Sequence, residues 1–269
     1  MPAFICTACG VQYPPAEAPP DSCPICQDER QYIPPAGQQW TTPARLAAAH
    51  RNAWHQHEPG LLGIGTTPAF AIGQRALLIR TAEGNVLWDG LSLLDDATVA
   101  LLRALGGLAA IAISHPHYYG NMVEWAQTFG CPLWLQAGDR HWAVRPDPAI
   151  CFWSGATQAL PGGLTLIHAP GHFDGAAMLH WPGGAEGRGA LLSGDIVQVA
   201  ADRRTAGFMR SYPNWIPLGP AAVRRIGDAV APFAFDRVYG AWWDRVIETD
   251  GKAAVERSVA RALHWLEAP

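Results

Sequence analysis

Histidine and aspartate residues that directly follow apolar, strand-like runs are the feature of this sequence that most restricts its fold. They are Asp89 in VLWDG, His115 and His117 in ISHPHYYGN, His172 in HAPGHFDG and Asp195 in LLSGDIV. Loops at the carboxyl ends of strands hold side chains rigidly at the rim of a cleft, and imidazole is a preferred ligand of zinc and iron. The pattern therefore predicts a metal site at one edge of an α/β scaffold.

Strand-like and helix-like runs form two successive groups. Residues 61–136 contain three strand-like runs followed by an alternation of helix and strand, and residues 164–266 repeat this order. A sheet with one apolar face must bury that face against another layer. Two such halves therefore predict two sheets packed together with helices outside, an α/β fold of the αββα four-layer sandwich type.

Four cysteines near the start of the chain form a second motif. Cys6 and Cys9 make one C-x-x-C pair, and Cys23 and Cys26 make another, a spacing that suits one tetrahedral ion held by four thiolates. The stretch resembles a small rubredoxin-like knuckle, in the short-spaced form known from rubrerythrins. Two interpretations are open: a zinc ion that stabilises a unit too small to fold alone, or an iron ion that relays electrons.

Changes in composition divide the chain into three parts. Residues 1–36 form the four-cysteine knuckle, which ends in a Pro- and Gly-containing stretch, residues 37–59 form a linker, and residues 60–269 form the large domain. The predicted linker contains a second H-x-H pair, His55 and His57. For this pair the sequence predicts a surface or interdomain position.

The order of the strand-terminal residues from about Gly60 onward resembles that of the metallo-β-lactamase fold superfamily. The matching residues are Asp89, the H-x-H of His115 and His117, His172 in its P-G-H loop, and Asp195 in its G-D pair. The resemblance implies the αββα fold. It also implies that Asp89 braces the metal loops through hydrogen bonds and that Asp195 is a ligand, since this aspartate bridges two metals in the family.

The sequence departs from the family where the second metal would be held. The family pattern H-x-H-x-D-H would place Asp and His at positions that here are Tyr119 and Gly120, and a histidine expected late in the chain is replaced by Ala241 followed by Trp242. Three ligands of the second metal are thus missing. We therefore predict one ion held by three histidines and Asp195, with zinc preferred and iron as the alternative, because two histidines and a carboxylate also suit non-haem iron.

Several aromatic and basic residues are candidates for contact with a substrate. Tyr118 and Tyr119 each carry a hydroxyl that can donate to an oxyanion, and we assign Tyr119, in the slot of the lost acidic ligand, a catalytic role beside Asp195. Arg210 and Tyr212 lie in MRSYPNWIPL, where family members carry a substrate-shaping insertion, and Trp242 follows the last strand. The alternative for the aromatic residues is packing that fills the vacated second-metal space.

Charge and hydropathy restrict the partners. A formal net charge of −4 with scattered basic residues gives no surface for a polyanion such as a nucleic acid. No apolar run reaches the roughly 18 residues that would span a bilayer, and the N-terminus lacks the pattern of a signal peptide. The sequence predicts a cytoplasmic protein with a small-molecule substrate, and it predicts no oligomeric state.

Three functions are compatible with these residues. The leading prediction is a hydrolase in which one zinc-bound hydroxide attacks an ester, thioester, lactone or related acyl substrate. The first alternative is a mononuclear non-haem iron oxidoreductase with the four-cysteine knuckle as its redox partner. The second alternative is a binding protein whose reduced site has lost catalysis.

Overall fold

The computed structural model describes residues 1–268. The strands are β1 (Ala3–Cys6), β2 (Gln12–Pro15), β3 (Trp40–Thr41), β4 (Arg51–Glu58), β5 (Leu61–Thr67), β6 (Arg75–Thr81), β7 (Gly84–Trp88), β8 (Ala110–Ala112), β9 (Leu133–Gln136), β10 (Ile150–Trp153), β11 (Thr157–Leu160), β12 (Leu164–His168), β13 (Ala177–Trp181), β14 (Ala190–Gly194), β15 (Gln198–Val199), β16 (Ala206–Gly207), β17 (Met209–Ser211), β18 (Ile216–Pro217), β19 (Arg237–Gly240) and β20 (Val246–Ile247). The α-helices are α1 (Pro24–Gln27), α2 (Pro43–Ala49), α3 (Asp96–Ala104), α4 (Met122–Phe129), α5 (Gly184–Gly187), α6 (Pro220–Val230) and α7 (Gly251–Glu267). Short 3₁₀ helices span Pro116–Tyr118, Ala137–Trp142 and Pro161–Gly163.

Two large sheets form the centre of the fold. The first has seven strands in the order β10-β9-β8-β7-β6-β5-β4, and the second has six in the order β11-β12-β13-β14-β19-β20. Apolar side chains from both sheets, such as Leu77 and Leu179, share one buried core between them. Helices α3 and α4 cover the outer face of the first sheet, and α6 and α7 cover that of the second. The predicted αββα sandwich is confirmed.

The strand order explains why the metal-site residues meet. Strands β7 and β8 run parallel in the first sheet, as do β14 and β19 in the second. Asp89 directly follows β7, His115 follows β8 after two residues, and Asp195 directly follows β14. Nε2 of His115 lies 3.3 Å from Oδ1 of Asp195, so the carboxyl ends of these strands from both sheets lie at one edge of the sandwich.

The four-cysteine knuckle, with all four cysteines buried, packs on the outer face of the first sheet. Its strands form a small sheet in the order β2-β1-β3, and the side chains of Cys6, Cys9 and Val11 lie in the same apolar cluster as Tyr118 and Tyr119. The backbone N–H of Gln12 donates to the carbonyl oxygen of Gly120 at 2.9 Å. The knuckle is thus joined to the loop that carries the H-x-H histidines.

The structure corrects the prediction of a linker at residues 37–59. This segment contains β3, which pairs with β1 of the knuckle, then α2, and then β4, which pairs with β5 along the edge of the seven-stranded sheet. The side chain of Thr42 accepts a hydrogen bond from the backbone N–H of Arg45 and caps α2. The polar sequence of β4, RNAWHQHE, lacks the apolar run by which the other strands were predicted, because an edge strand keeps much of its surface in water.

The second H-x-H pair lies on that edge strand. His57 is half-buried beside Trp243, at 6.1 Å between ring centroids, and His55 stacks edge-on against the His57 ring. Burial lowers the pKa of His57 to about 3, with the nearby positive charge of Arg75 as the next cause.

None of the helices in residues 1–268 is long and apolar enough to cross a membrane.

Candidate metal centre

Three buried histidines converge at the edge of the sandwich. The nearest ring nitrogens of His115, His117 and His172 all lie within 4.8 Å of one another. His117 is on the 3₁₀ turn Pro116–Tyr118, and His172 is on the loop that joins β12 to β13. The Nε2 atom of His172 lies 3.3 Å from Nδ1 of His117. The sequence spacing thus brings the three predicted ligands together.

Hydrogen bonds fix the orientation of two of these rings. Nδ1 of His172 lies 3.0 Å from the carbonyl oxygen of Met209, and since a carbonyl only accepts, that nitrogen carries the proton and the lone pair of Nε2 faces the cluster. Nδ1 of His115 is joined to the hydroxyl of Ser114 at 2.9 Å. Asp89 accepts a hydrogen bond from the backbone N–H of Ser114 at 2.8 Å. Asp89 therefore lies behind the cluster, bracing the residue that orients His115.

The electrostatics of the cluster favour a cation. Burial holds the pKa of His115 and His117 well below its ordinary value and lowers that of His172 to about 4, so the rings are neutral near pH 7. Burial also raises the pKa of Asp195 to about 7, and its Oδ1 lies 3.3 Å from Nε2 of His115. Neutral imidazoles bind divalent ions, and a bound positive charge would keep the carboxylate ionised.

Two of the separations between candidate ligand atoms match the edge of a tetrahedral site. Zinc–nitrogen bonds of about 2.0–2.1 Å place two ligand nitrogens about 3.3 Å apart at the edge of a tetrahedron. The nitrogen pair of His117 and His172 is separated by 3.3 Å. Nε2 of His115 lies at the same distance from the Asp195 carboxylate and has no hydrogen-bond partner within residues 1–268. The residues present therefore fit one ion.

The four cysteines fit a second ion by the same test. The Sγ atoms of Cys6 and Cys26 are 3.6 Å apart, and those of Cys9 and Cys23 are 3.7 Å apart, against about 3.8 Å expected for zinc–sulfur bonds of about 2.3 Å. The side chain of Gln38 donates to Sγ of Cys6 at 3.2 Å. Such a donor stabilises a thiolate, so the cluster suits zinc or iron.

A cleft of about 270 Å³ opens over His117, His172 and Asp195. Of the residues in its walls, Tyr212 and Trp242 were predicted from the sequence, and those of the knuckle and of the turn before β6 were not. The four-cysteine knuckle supplies Ala8, Arg30, Gln31 and Tyr32, and the turn before β6 supplies Ala71 and Ile72. Cysteine spacing predicts a metal knuckle but gives no information about the surface on which it docks.

The knuckle residues that follow Cys26 are fastened to the loops of the metal centre. Nη1 of Arg30 donates to the carbonyl oxygen of His172 at 3.4 Å, and its guanidinium lies 4.0 Å from the centroid of the Phe173 ring. The side chain of Asn214 donates to the carbonyl oxygens of Glu29 and Gln31, at 2.8 and 3.0 Å. This wall of the cleft is therefore fixed to both neighbouring loops.

The two tyrosines after His117 point in different directions. Tyr118 is buried against His115, with 4.4 Å between ring centroids, and burial, followed by the charge of Asp195, holds the pKa of its hydroxyl well above the ordinary value. The hydroxyl of Tyr119 instead lies 3.5 Å from the carbonyl oxygen of Asp139. The sequence predicted that Tyr119 would take the place of the lost acidic ligand beside Asp195. The structure corrects this prediction, because the 3₁₀ turn directs Tyr118 toward Asp195 instead.

The missing family histidine at position 120 has a steric explanation. Gly120 has φ +51°, and a Cβ atom there would lie 2.5 Å from the carbonyl oxygen of Leu91. A side chain at this position would require the backbone around Leu91 to move. The loop that holds the knuckle is therefore incompatible with a second-metal ligand at this position.

The remaining predicted substrate residues divide into two groups. The hydroxyl of Tyr212 donates to the carbonyl oxygen of Asp195 at 2.6 Å, and the indole N–H of Trp242 donates to the carbonyl oxygen of Ile72 at 3.3 Å, while both side chains line the cleft. Arg210 does not line it. Its guanidinium pairs with Glu29 at 2.5 Å on a partly exposed surface.

Comparison with known proteins identifies a relative of similar length and a shared fold. No protein-family model matches the sequence. The chain is 47% identical over 268 residues to the uncharacterized protein YmaE of Bacillus subtilis (strain 168), covering 99% of this chain and 97% of that protein. Among solved structures, it is similar to the DIM-1 metallo-β-lactamase, with a TM-score of 0.60, 12% identity, and coverage of 79% of this chain and 98% of the other.

Two further metallo-β-lactamases have the same architecture. One, from Cronobacter sakazakii, has a HARLDQ motif and matches with a TM-score of 0.54, 17% identity and coverage of 83% and 96% of the two chains. The other, from Pontibacter korlensis, matches with a TM-score of 0.54, 18% identity and coverage of 81% and 100%. These likenesses confirm the metallo-β-lactamase fold predicted from the order of the histidines and aspartates.

Proposed function

Because the chain belongs to the family of the Bacillus subtilis protein YmaE and has the metallo-β-lactamase fold, we propose that it is a metal-dependent hydrolase of an ester, thioester, lactone or related acyl substrate. One observation carries the proposal: three buried, neutral imidazoles converge within 4.8 Å beside Asp195, at the floor of a cleft. His115, His117, His172 and Asp195 would hold one divalent ion, with zinc as the expected metal.

A divalent ion in such a site lowers the pKa of a coordinated water toward 7 and polarises the carbonyl of an acyl substrate. The chain itself supplies a base and a fixed geometry. The carboxylate of Asp195 has two oxygens beside the histidine cluster, so one can contribute to holding the ion while the other accepts a proton. Tyr212 holds the backbone of Asp195 in place through its hydroxyl, and the walls of the cleft restrict access of bulk water.

The test is metal-dependent turnover on a panel of neutral and charged esters, thioesters and lactones. Zinc-loaded protein should hydrolyse at least one member, and removal of metal by a chelator should abolish the activity. His115→Ala should lose one ion per chain by elemental analysis and at least about a hundredfold in kcat/KM. The matched control is His141→Ala at an exposed histidine, which should keep both ions. Turnover that survives His115→Ala would overturn the proposal.

A second candidate, iron-dependent redox chemistry with the knuckle as electron donor, is favoured by one contact. Ala8, which lies inside the first C-x-x-C loop, lines the same cleft as His117, so electrons would cross only this cleft between the two sites. Protein expressed with ample iron should then be coloured and contain two irons per chain. Zinc at both sites under those conditions would exclude this candidate.

A further inference from the structure

Apolar groups supply more than half of the surface that lines the cleft, beside the polar side chains of Arg30, Gln31 and Tyr212. Ala8 and Tyr32 come from the knuckle, Ile72 from the turn before β6, Pro213 from the turn between β17 and β18, and Trp242 from the loop after β19. Aromatic and aliphatic walls bind the apolar parts of a ligand and leave orientation to a few polar groups. This composition favours a substrate whose substituents are hydrocarbon rather than ionic.

The one cationic side chain in the cleft lining, within residues 1–268, is already neutralised. Nε and Nη2 of Arg30 donate to the two carboxylate oxygens of Asp28 at 2.6 and 3.0 Å, and Nη1 donates to the carbonyl oxygen of His172. Phe173 covers one face of the guanidinium at 4.0 Å. All three nitrogens are therefore engaged, and the paired carboxylate cancels the charge that a substrate anion would seek.

The next arginine along this surface is engaged as well. Arg210 pairs with Glu29 at 2.5 Å and does not line the cleft. In the described part of the chain, the lining thus offers no free cation away from the metal ligands. A carboxylate on the distal end of a substrate would lose its hydration without gaining a free cationic side chain as its partner.

The size of the cleft restricts the substrate further. Its volume of about 270 Å³ is just below the roughly 300–1,000 Å³ typical of small-molecule sites. The wall formed by Arg30, Gln31 and Tyr32 is fastened by Asn214 and by the hydroxyl of Ser211, which donates to the carbonyl oxygen of Arg30 at 3.1 Å. The wall is held from several sides, so the volume is set by the knuckle.

We propose that the substrate is a small, uncharged acyl compound with apolar substituents, and that the Asp28–Arg30 pair of the knuckle excludes anionic substrates. This inference rests on the proposed hydrolase function. It assigns to the four-cysteine knuckle a role in substrate selection, through residues that directly follow its last cysteine.

A matched pair of esters tests the charge preference. 4-Nitrophenyl butyrate and mono-4-nitrophenyl succinate have similar acyl chains, but the second ends in a carboxylate. The zinc-loaded protein should show a kcat/KM at least about tenfold higher for the butyrate. Binding of the slowly cleaved amide analogues, N-phenylbutyramide and N-phenylsuccinamate, should show the same order by calorimetry without depending on turnover.

A charge variant tests the assignment to Arg30. Asp28→Asn removes the carboxylate from the Arg30 fork, so the preference for the neutral ester and the neutral amide should shrink at least about threefold. The matched control is Glu29→Gln, which releases Arg210 outside the cleft and should leave the preference unchanged. The ratio of kcat/KM for the neutral ester to kcat/KM for the anionic ester is unaffected by a general loss of activity in either variant.

The outcomes separate this inference from the proposed function. Absence of ester turnover, with the neutral amide still bound more tightly, overturns the hydrolase proposal alone. If the succinate compounds are hydrolysed or bound as well as the butyrate compounds, or better, the inference is overturned and the hydrolase proposal is not affected. Absence of binding by either amide, or a preference that Asp28→Asn leaves unchanged, also overturns the inference.

Discussion

Nη1 of Arg30 donates a hydrogen bond to the carbonyl oxygen of His172, so a residue of the four-cysteine knuckle supports the backbone of a candidate metal ligand. The side chain of Arg30 is held in turn by Asp28 and by the ring of Phe173. Phe173 packs on His115 and His117, at 5.4 and 4.8 Å between ring centroids. The two candidate metal sites are thus linked through a short chain of contacts.

Cys26→Ser should weaken both sites. We expect the ion to supply much of the stability of this small unit, so loss of one thiolate should release the ion and loosen residues 28–32 beside the cleft. We expect one ion fewer per chain by elemental analysis, a lower melting temperature, and weaker zinc binding at the histidine site in competition with a chromophoric chelator. Cys151→Ala, at a lone and partly buried cysteine, is the control. Unchanged metal content in Cys26→Ser would contradict the assignment.

Tyr118→Phe and Tyr119→Phe should differ in their effect on catalysis. The Tyr118 hydroxyl lies beside Asp195 in the centre, whereas that of Tyr119 lies near the carbonyl oxygen of Asp139. Removal of the first hydroxyl should lower kcat about tenfold or more, and removal of the second should change it less than about twofold. Steady-state kinetics on one active ester decide the matter. A larger loss in Tyr119→Phe would restore the prediction made from the sequence.

Arg75→Met should leave the protein equally or more stable. Arg75 is 1% exposed and its three guanidinium nitrogens find no hydrogen-bond acceptor in the described residues, with the Trp243 ring 5.8 Å away. A buried charge without a partner is costly, so an apolar side chain of similar length should raise the free energy of unfolding by about 1–3 kcal/mol. Urea titration measures the change.

The comparison for that variant is Arg237→Met. Arg237 pairs with the buried carboxylate of Glu58 at 3.1 Å, so its removal should lower the free energy of unfolding by about 3 kcal/mol. If both arginine variants destabilise the protein equally, an acceptor for Arg75 must exist in solution.

The stability of Asp139→Asn relative to the wild type should depend on pH. Burial raises the pKa of Asp139 to about 7, while its carboxylate accepts from the backbone N–H of Gly175 at 2.8 Å. The folded state therefore keeps a proton that the unfolded state releases near pH 4, and this group's contribution to stability falls as the pH rises from about 4 to 7. The melting temperature of the variant relative to that of the wild type should therefore rise between about pH 4 and pH 7 and stay constant above pH 7. A difference in melting temperature that is independent of pH would contradict this assignment.

The sequence predicted the elements whose signals are local. Asp89 and His115 lie at one edge because β7 and β8 are parallel neighbours. Asp195, from the second sheet, meets them there through the packing of the two sheets. The side chain of Tyr119 could not be placed, because a 3₁₀ turn of three residues decides which of two adjacent tyrosines faces Asp195. Strand β4 was not predicted because its sequence is polar, as suits a strand at the edge of a sheet. The contact of Arg30 with His172 joins residues 142 positions apart, so it has no signal in the local sequence.

The double attachment of the knuckle has a consequence for how this family can diversify. Residues 30–32 form a wall of the cleft, yet they belong to the knuckle, whose small sheet is separate from the two large sheets. Substitutions at the exposed Tyr32 can change the shape of the proposed substrate site while the Arg30–His172 contact that supports the histidine centre is kept. New specificities can then arise by drift or by recombination within the first few dozen codons, and a chimera that exchanges this segment with YmaE is a direct starting point for directed evolution.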